Sequence, residues 1–128
     1  MSTHLLKLRL VSDLHLEFHR DEGRDFVANI RPVEGEALIL AGDITSKKNL
    51  DWVLREFCSK FVQVYVVAGN HEYYGSLPRE VDSVFRKIET EISNLRVLRP
   101  GRVELLEGRR ILGATLWFRD DPMNAVYA

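Results

Sequence analysis

Apolar and polar positions fall in short blocks along the chain, and the blocks follow two different periods. Leu5 to Val11 alternates and then runs continuously apolar, the pattern of a strand that stops at Ser12-Asp13. A charged stretch from Glu17 to Arg24 leads into a short helical pattern, Asp25 to Ile30, which Pro32 closes. Ala37 to Ala41 is apolar throughout, as in a parallel strand covered on both faces, and it stops at Gly42-Asp43. Asn49 is placed to cap a helix to about Lys60 that carries Leu50, Val53, Leu54 and Phe57 on one face. A third strand, Gln63 to Val67, stops at Gly69-Asn70. Pro78 suits the first turn of a second long helix, to about Ser93, with Val81, Val84, Phe85, Ile88 and Ile92 at helical spacing. Short strands follow at Arg96 to Leu98, Val103 to Leu106 and Arg110 to Leu116. Strands alternating with helices predict an α/β fold with a mainly parallel first sheet and helical crossovers.

The totals narrow the partners. A chain of 128 residues makes one domain, residues 1–128, and 45% hydrophobic with 29% charged content is that of a globular protein. A formal net charge of -1 gives no electrostatic case for nucleic acid or an anionic membrane. No apolar stretch approaches the roughly 18 to 20 residues of a membrane span, and the N-terminus lacks the features of a signal peptide, so cytoplasm is the default location. Cys58 is the single cysteine and lies in the helical pattern WVLREFCSKF, which reads as a buried structural thiol. The chain ends on Trp117, Phe118, Met123, Val126 and Tyr127 without a closing element. The domain is therefore expected to be incomplete at its C-terminus and to self-associate through an apolar patch between Ile111 and Tyr127.

The chemistry gathers at three strand ends. Asp13 and His15 follow the first strand, Asp43 the second, and Asn70, His71 and Glu72 the third. Parallel strands present such ends along one edge, where α/β proteins place their sites. Taken singly, each is an ordinary turn: an aspartate that caps, a partly exposed histidine, a Gly-Asp bend. Three successive ends carrying oxygen and imidazole donors without a thiolate point instead to a metal of the Mn, Fe or Zn kind. Asp13 and His15 share a face if the segment is extended, and Gly42 and Gly69 each precede a candidate ligand where close backbone approach needs a missing side chain. The side-chain oxygens of Asp13, Asp43 and Asn70 are expected within roughly 7 Å of one another.

The motifs DLH (Asp13 to His15), GD (Gly42-Asp43) and GNHE (Gly69 to Glu72), in this order and spacing, resemble those of the calcineurin-like metallophosphoesterases over about Leu5 to Trp117. The resemblance implies the N-terminal part of an αββα sandwich with two divalent metal ions at the strand ends. It implies that Asp13 and His15 hold the first metal, that Asp43 bridges both, and that Asn70 holds the second through its amide oxygen. His71 would be catalytic, facing the phosphate and the leaving group rather than a metal. The implied activity is hydrolysis of a small-molecule phosphate mono- or diester, or a nucleotide phosphoanhydride, by a metal-bridging hydroxide. Glu72 is open between orienting His71, supporting a ligand and lying solvated at a helix start. Tyr73 and Tyr74 read as packing, with Arg20 as a further pocket candidate.

The family's later Gly-His-x-His motif, which gives one more ligand to each metal, has no counterpart, since no histidine follows His71. His4 and His19 read as surface residues. The second metal site is thus expected to be partial, and the alternative is a non-catalytic fragment or interaction module that keeps the fold. A flavodoxin-like or nucleotide-binding domain lacks support, because no GxxxxGK[ST] loop is present.

Overall fold

A computed structural model of the chain describes residues 5–116. Its elements are β1 (Leu8–Val11), α1 (Arg24–Asn29), β2 (Ala37–Ala41), α2 (Lys47–Lys60), β3 (Gln63–Val67), α3 (Pro78–Glu91), β4 (Leu95–Val97), β5 (Glu104–Leu106) and β6 (Arg109–Ile111), with one-turn 3-10 helices at Leu16–Phe18 and His71–Tyr73. The first four strands form one parallel sheet in sequence order, and β5 and β6 form a separate antiparallel pair.

Sequence order has a geometric consequence. Right-handed crossovers that always step in the same direction deliver every connection to the same face of the sheet. Leu38, Leu40, Val64, Val66, Leu95 and Val97 accordingly join one buried cluster with Leu50, Leu54 and Phe57 of α2 and Val81, Phe85 and Ile88 of α3. Burying these large side chains is the main source of stability. Among the described residues the other face carries the β5–β6 hairpin and, at the β2 and β3 ends, residues 114–116. Tyr65 is buried beneath the hairpin and its hydroxyl donates to the Leu105 carbonyl at 3.5 Å, while Leu8 and Leu10 stay exposed. The wholly apolar Ala37 to Ala41 therefore has helices on one side only, and Ala41 is exposed.

Local differences from the sequence pattern have local reasons. Pairing of β1 begins at Leu8, opposite the first residue of β2, and just before it the Lys7 carbonyl accepts the Ala37 N–H at 2.9 Å. Helix α2 starts two residues before Asn49; Ser46 occupies the capping position, and the buried Asn49 accepts from Trp52 Nε1 at 3.1 Å. β6 ends at Ile111 because β5 offers only three partners, across a tight turn in which Glu107 and Gly108 both have positive φ. Cys58 is buried in α2, and burial pushes its thiol up to about 12, as an inert structural thiol requires. Lys60 donates to the carbonyls of Val27, Ala28 and Ile30, closing the C-terminal end of the six-residue α1. Of the expected apolar patch, Leu112 and Leu116 are exposed; Trp117, Phe118, Met123, Val126 and Tyr127 lie outside the described residues, as does His4.

Glu89 ties the end of α3 to β4 and the turn beyond it. Its carboxylate accepts the Val97 N–H, and Arg102 Nη1 lies 2.9 Å from both oxygens. Burial acts to raise its pKa, but Arg102 and the Val97 N–H together hold the carboxyl below the usual glutamate range. A depressed folded-state pKa contributes stability above the unfolded value and loses it as pH falls through the folded one. Glu89→Gln is therefore expected to be less stable than the wild type at neutral pH, with the gap closing below about pH 4. Urea unfolding of both proteins at neutral pH and about pH 3 checks this, and a gap that does not change with pH contradicts it.

Candidate metal site at the strand tips

Beyond β1 and β2 the two chain segments stay zipped together. Asp13 N–H donates to the Gly42 carbonyl, His15 N–H to Asp43 and Leu16 N–H to Ile44, at 3.0, 3.0 and 2.9 Å. The β2 and β3 tips approach so closely that a Cβ on Gly42 would sit 3.0 Å from Gly69 Cα, and one on Gly69 would sit 2.2 Å from Asp43 Oδ1. Both glycines are needed for contact, as expected from their place before the ligand candidates.

Asp13, His15 and Asp43 have φ of 55°, 45° and 53°, so three of the five described non-glycine residues with positive φ sit here. Left-handed backbone is uncommon outside glycine, though aspartate, asparagine and histidine tolerate it best. The segment is thus not extended, contrary to the geometry expected for Asp13 and His15. Two left-handed residues still bring His15 Nε2 to 3.8 Å from Asp13 Oδ1.

Ligand-type atoms of Asp13, His15 and Asp43 all lie within 4.8 Å of one another. The Asn70 amide joins them from the β3 tip, its outer atoms 3.1 and 3.2 Å from the Asp43 carboxylate oxygens and 2.5 Å from the Tyr74 hydroxyl. With its nitrogen toward Asp43, the amide donates to both oxygens. With its oxygen toward Asp43, acceptors face each other, and only a cation between them makes the contact favourable. The donors present, carboxylate, amide oxygen and imidazole, therefore fit a hard to borderline divalent metal. Asp43 Oδ1 also accepts the His71 N–H at 2.9 Å, which fixes His71 beside the ligand group.

Glu72 resolves the question left by the sequence. It is 1% exposed, and its carboxylate accepts N–H groups from Ile44 at 2.6 Å, Gly69 at 2.8 Å and Asp43 at 3.1 Å. It is neither a solvated helix-start acid nor a partner of the His71 ring, but a staple between two strand tips. Burial pushes its carboxyl above the usual range, against the pull of the three donors.

Glu17, which the pattern did not single out, and Tyr74, which it read as packing, both lie beside the site. Glu17 Oε1 is 3.1 Å from His71 Nδ1 and 3.8 Å from His15 Nδ1. Its only sequence signal is the spacing Asp13, His15, Glu17, hidden in a charged stretch. Tyr74 is exposed and lies against the His71 ring, centroids 4.5 Å apart. Tyr73 does pack against the core, donating to Asp82 at 3.2 Å. Arg20 is exposed, and His19 is an exposed residue whose Nε2 is 3.2 Å from the Leu14 carbonyl oxygen.

A family model for calcineurin-like phosphoesterases matches residues 6–123. The fold is similar to the crystal structure of a phosphopantetheinyl hydrolase from Mycobacterium tuberculosis, with a TM-score of 0.62 and 21% identity over 87% of this chain. The chain spans 42% of the length of that protein, and the likeness at this identity is one of fold. No curated protein sequence matches the chain.

Glu72→Gln would leave three amide hydrogens to share one oxygen and would turn an NH2 toward donors. Its expected cost is about 2–3 kcal/mol of unfolding free energy, the usual penalty for buried groups left unpaired. Glu56→Gln, the same change at an exposed position of α2, should stay within about 0.5 kcal/mol. Urea unfolding of the two variants decides the matter, and equal small effects would show that Glu72 is no staple.

Proposed function

The chain belongs to the calcineurin-like phosphoesterase family, and on that premise we propose that it carries a metallophosphoesterase site for a small-molecule phosphate ester. Asp13 and His15 would hold one divalent cation, Asn70 the other, and Asp43 both. The observation that carries this reading is the central place of Asp43, among the ligand atoms of Asp13 and His15 on one side and against the Asn70 amide on the other. A carboxylate offers two oxygens and a full negative charge, and of the two aspartates only Asp43 lies against both His15 and Asn70, so it suits two cations at once. When bound, the metals would neutralise the phosphoryl oxygens and lower the pKa of the attacking water.

The chain's own residues supply the rest. Asp43 Oδ1 holds the His71 backbone, so His71 stands next to the metal ligands, and in this reading its ring faces the substrate. Its Nδ1 is occupied on the inner side by Glu17 and His15, which leaves Nε2 toward the departing oxygen, to which the ring in its doubly protonated form can give a proton. Tyr74 and Phe18 flank the ring, at 4.5 and 5.9 Å between centroids, and limit its rotation. The second reading, a fold-keeping module with a partial site, rests on the ligand count: the residues gathered at the strand tips for this role number four, Asp13, His15, Asp43 and Asn70.

The test pairs Mn(II) titration with hydrolysis of 4-nitrophenyl phosphate and bis(4-nitrophenyl) phosphate. Asp43→Asn should lose both metal and turnover. His71→Gln should keep the metal and lose roughly 10²-fold or more in kcat, as a general acid does. Equal metal loss in the two variants would overturn the role given to His71. Metal binding by the wild type with no hydrolysis of either ester would favour the second reading.

A further inference from the structure

We propose that Glu17 is a positioning residue for His71: its carboxylate accepts the hydrogen on Nδ1 and so determines which ring nitrogen is left for the substrate. This rests on the reading of His71 as the group that acts on the leaving oxygen. Glu17 belongs to the one-turn helix directly after His15, and its direction is set by its neighbour. Leu16 is wholly buried and its N–H is bonded to the Ile44 carbonyl, which holds the turn against the β2 tip and leads Glu17 inward.

Only 15% of the Glu17 side chain is exposed, and Oε2 is buried without a partner. Among the described residues its ion-pair contacts are two imidazoles, with no lysine or arginine. Burying a carboxylate is costly unless a donor compensates. The nearest donor is His71 Nδ1 at 3.1 Å. In a neutral imidazole one nitrogen donates and the other accepts, so an acceptor fixed at Nδ1 selects the tautomer. His15 Nδ1, at 3.2 Å, is the competing acceptor for the same hydrogen. The carboxylate wins on charge, because a charge-assisted hydrogen bond is roughly twice as strong as a neutral one. Glu17 thus stands behind the site, holding the proton-carrying ring in place much as a carboxylate behind a metal-bound histidine does.

The test needs neither metal nor substrate. Long-range 1H–15N spectra of the ¹⁵N-labelled metal-free protein at about pH 8, above the ordinary imidazole range, show which nitrogen carries the proton. The His71 signals are assigned by their disappearance in His71→Gln. The wild type should show His71 protonated at Nδ1. Glu17→Met, which keeps volume but removes the acceptor, should lose that signature, and Glu17→Gln, whose amide oxygen still accepts, should restore it. A wild-type His71 protonated at Nε2 overturns the proposal outright. Retention of the Nδ1–H form in Glu17→Met gives the role to His15 instead and overturns it equally. In Mn(II) titration, Glu17→Gln should bind as the wild type does; loss equal to that of Asp43→Asn would make Glu17 a ligand in a group with His15 and His71, and the positioning role would fall. Failure of the wild type to bind Mn(II) would count against the metal site while the tautomer result stands by itself.

Discussion

One buried carboxylate holds the site together. Glu72 gathers the N–H groups of Asp43, Ile44 and Gly69, two from the β2 tip and one from the β3 tip. Without it, those three donors would lie in a dry contact between loops with no partner, and the loops would separate to reach water. Because they do not separate, Gly42 and Gly69 can touch, Asp43 can take its left-handed conformation, and Asp43 Oδ1 can reach the His71 N–H. The cost of removing Glu72 from water is offset by three charge-assisted bonds, and the result is a fixed distance between residues 43 and 70.

The strain is placed where rigidity is needed. Three left-handed residues at Asp13, His15 and Asp43 each carry a backbone cost of about 1–3 kcal/mol, sustained by the zipped hydrogen bonds from residues 13–16 to residues 42–44. Their side chains then crowd acceptors together: two aspartates with Glu17 close behind, beside an amide that donates to Asp43 through its nitrogen or, turned the other way, needs a cation between the two oxygens. Such a group is poorly stable as bare anions and well suited to a positive ion. The loops thus hold an arrangement that unconstrained side chains would relax away from, which is the physical meaning of a preorganised site.

How much of this was legible depends on which features are local. Apolar runs ending in Gly42-Asp43 and Gly69-Asn70 mark both the strands and their chemical ends, and β2 and β3 match their expected spans residue for residue. The left-handed turns were not legible, since DLH reads as extended until the pairing with residues 42–44 bends it. Glu72 was ambiguous because one of its donors, Ile44, stands 28 positions away. Glu17 was hidden for the same reason: its partner is 54 positions distant and its neighbours in sequence are charged. Asn49 looked like a cap because it belongs to a residue type that caps helices, yet Trp52 engages its side chain instead.

The first three strands are parallel neighbours, as their sequence order leads one to expect, and that order decides which face the helices cover. A wholly apolar β2 reads as a strand covered on both faces, without saying by what. The sequential order β1-β2-β3-β4 sends all crossovers to one side, where α2 and α3 fill the space up to the strand tips. On the other side, among the described residues, a cavity of about 400 Å³ lies between the β2 and β3 ends and residues 114–116, bounded by Ala41, Gly69, Asn70 and Thr115. Thr115 donates to the Ala68 carbonyl and keeps that segment beside the β3 tip. Asn70 thus borders a cavity on the side that the helices leave open. The order of strands therefore decides which side of the tips is left open, while Glu72 holds the residues gathered there in one arrangement.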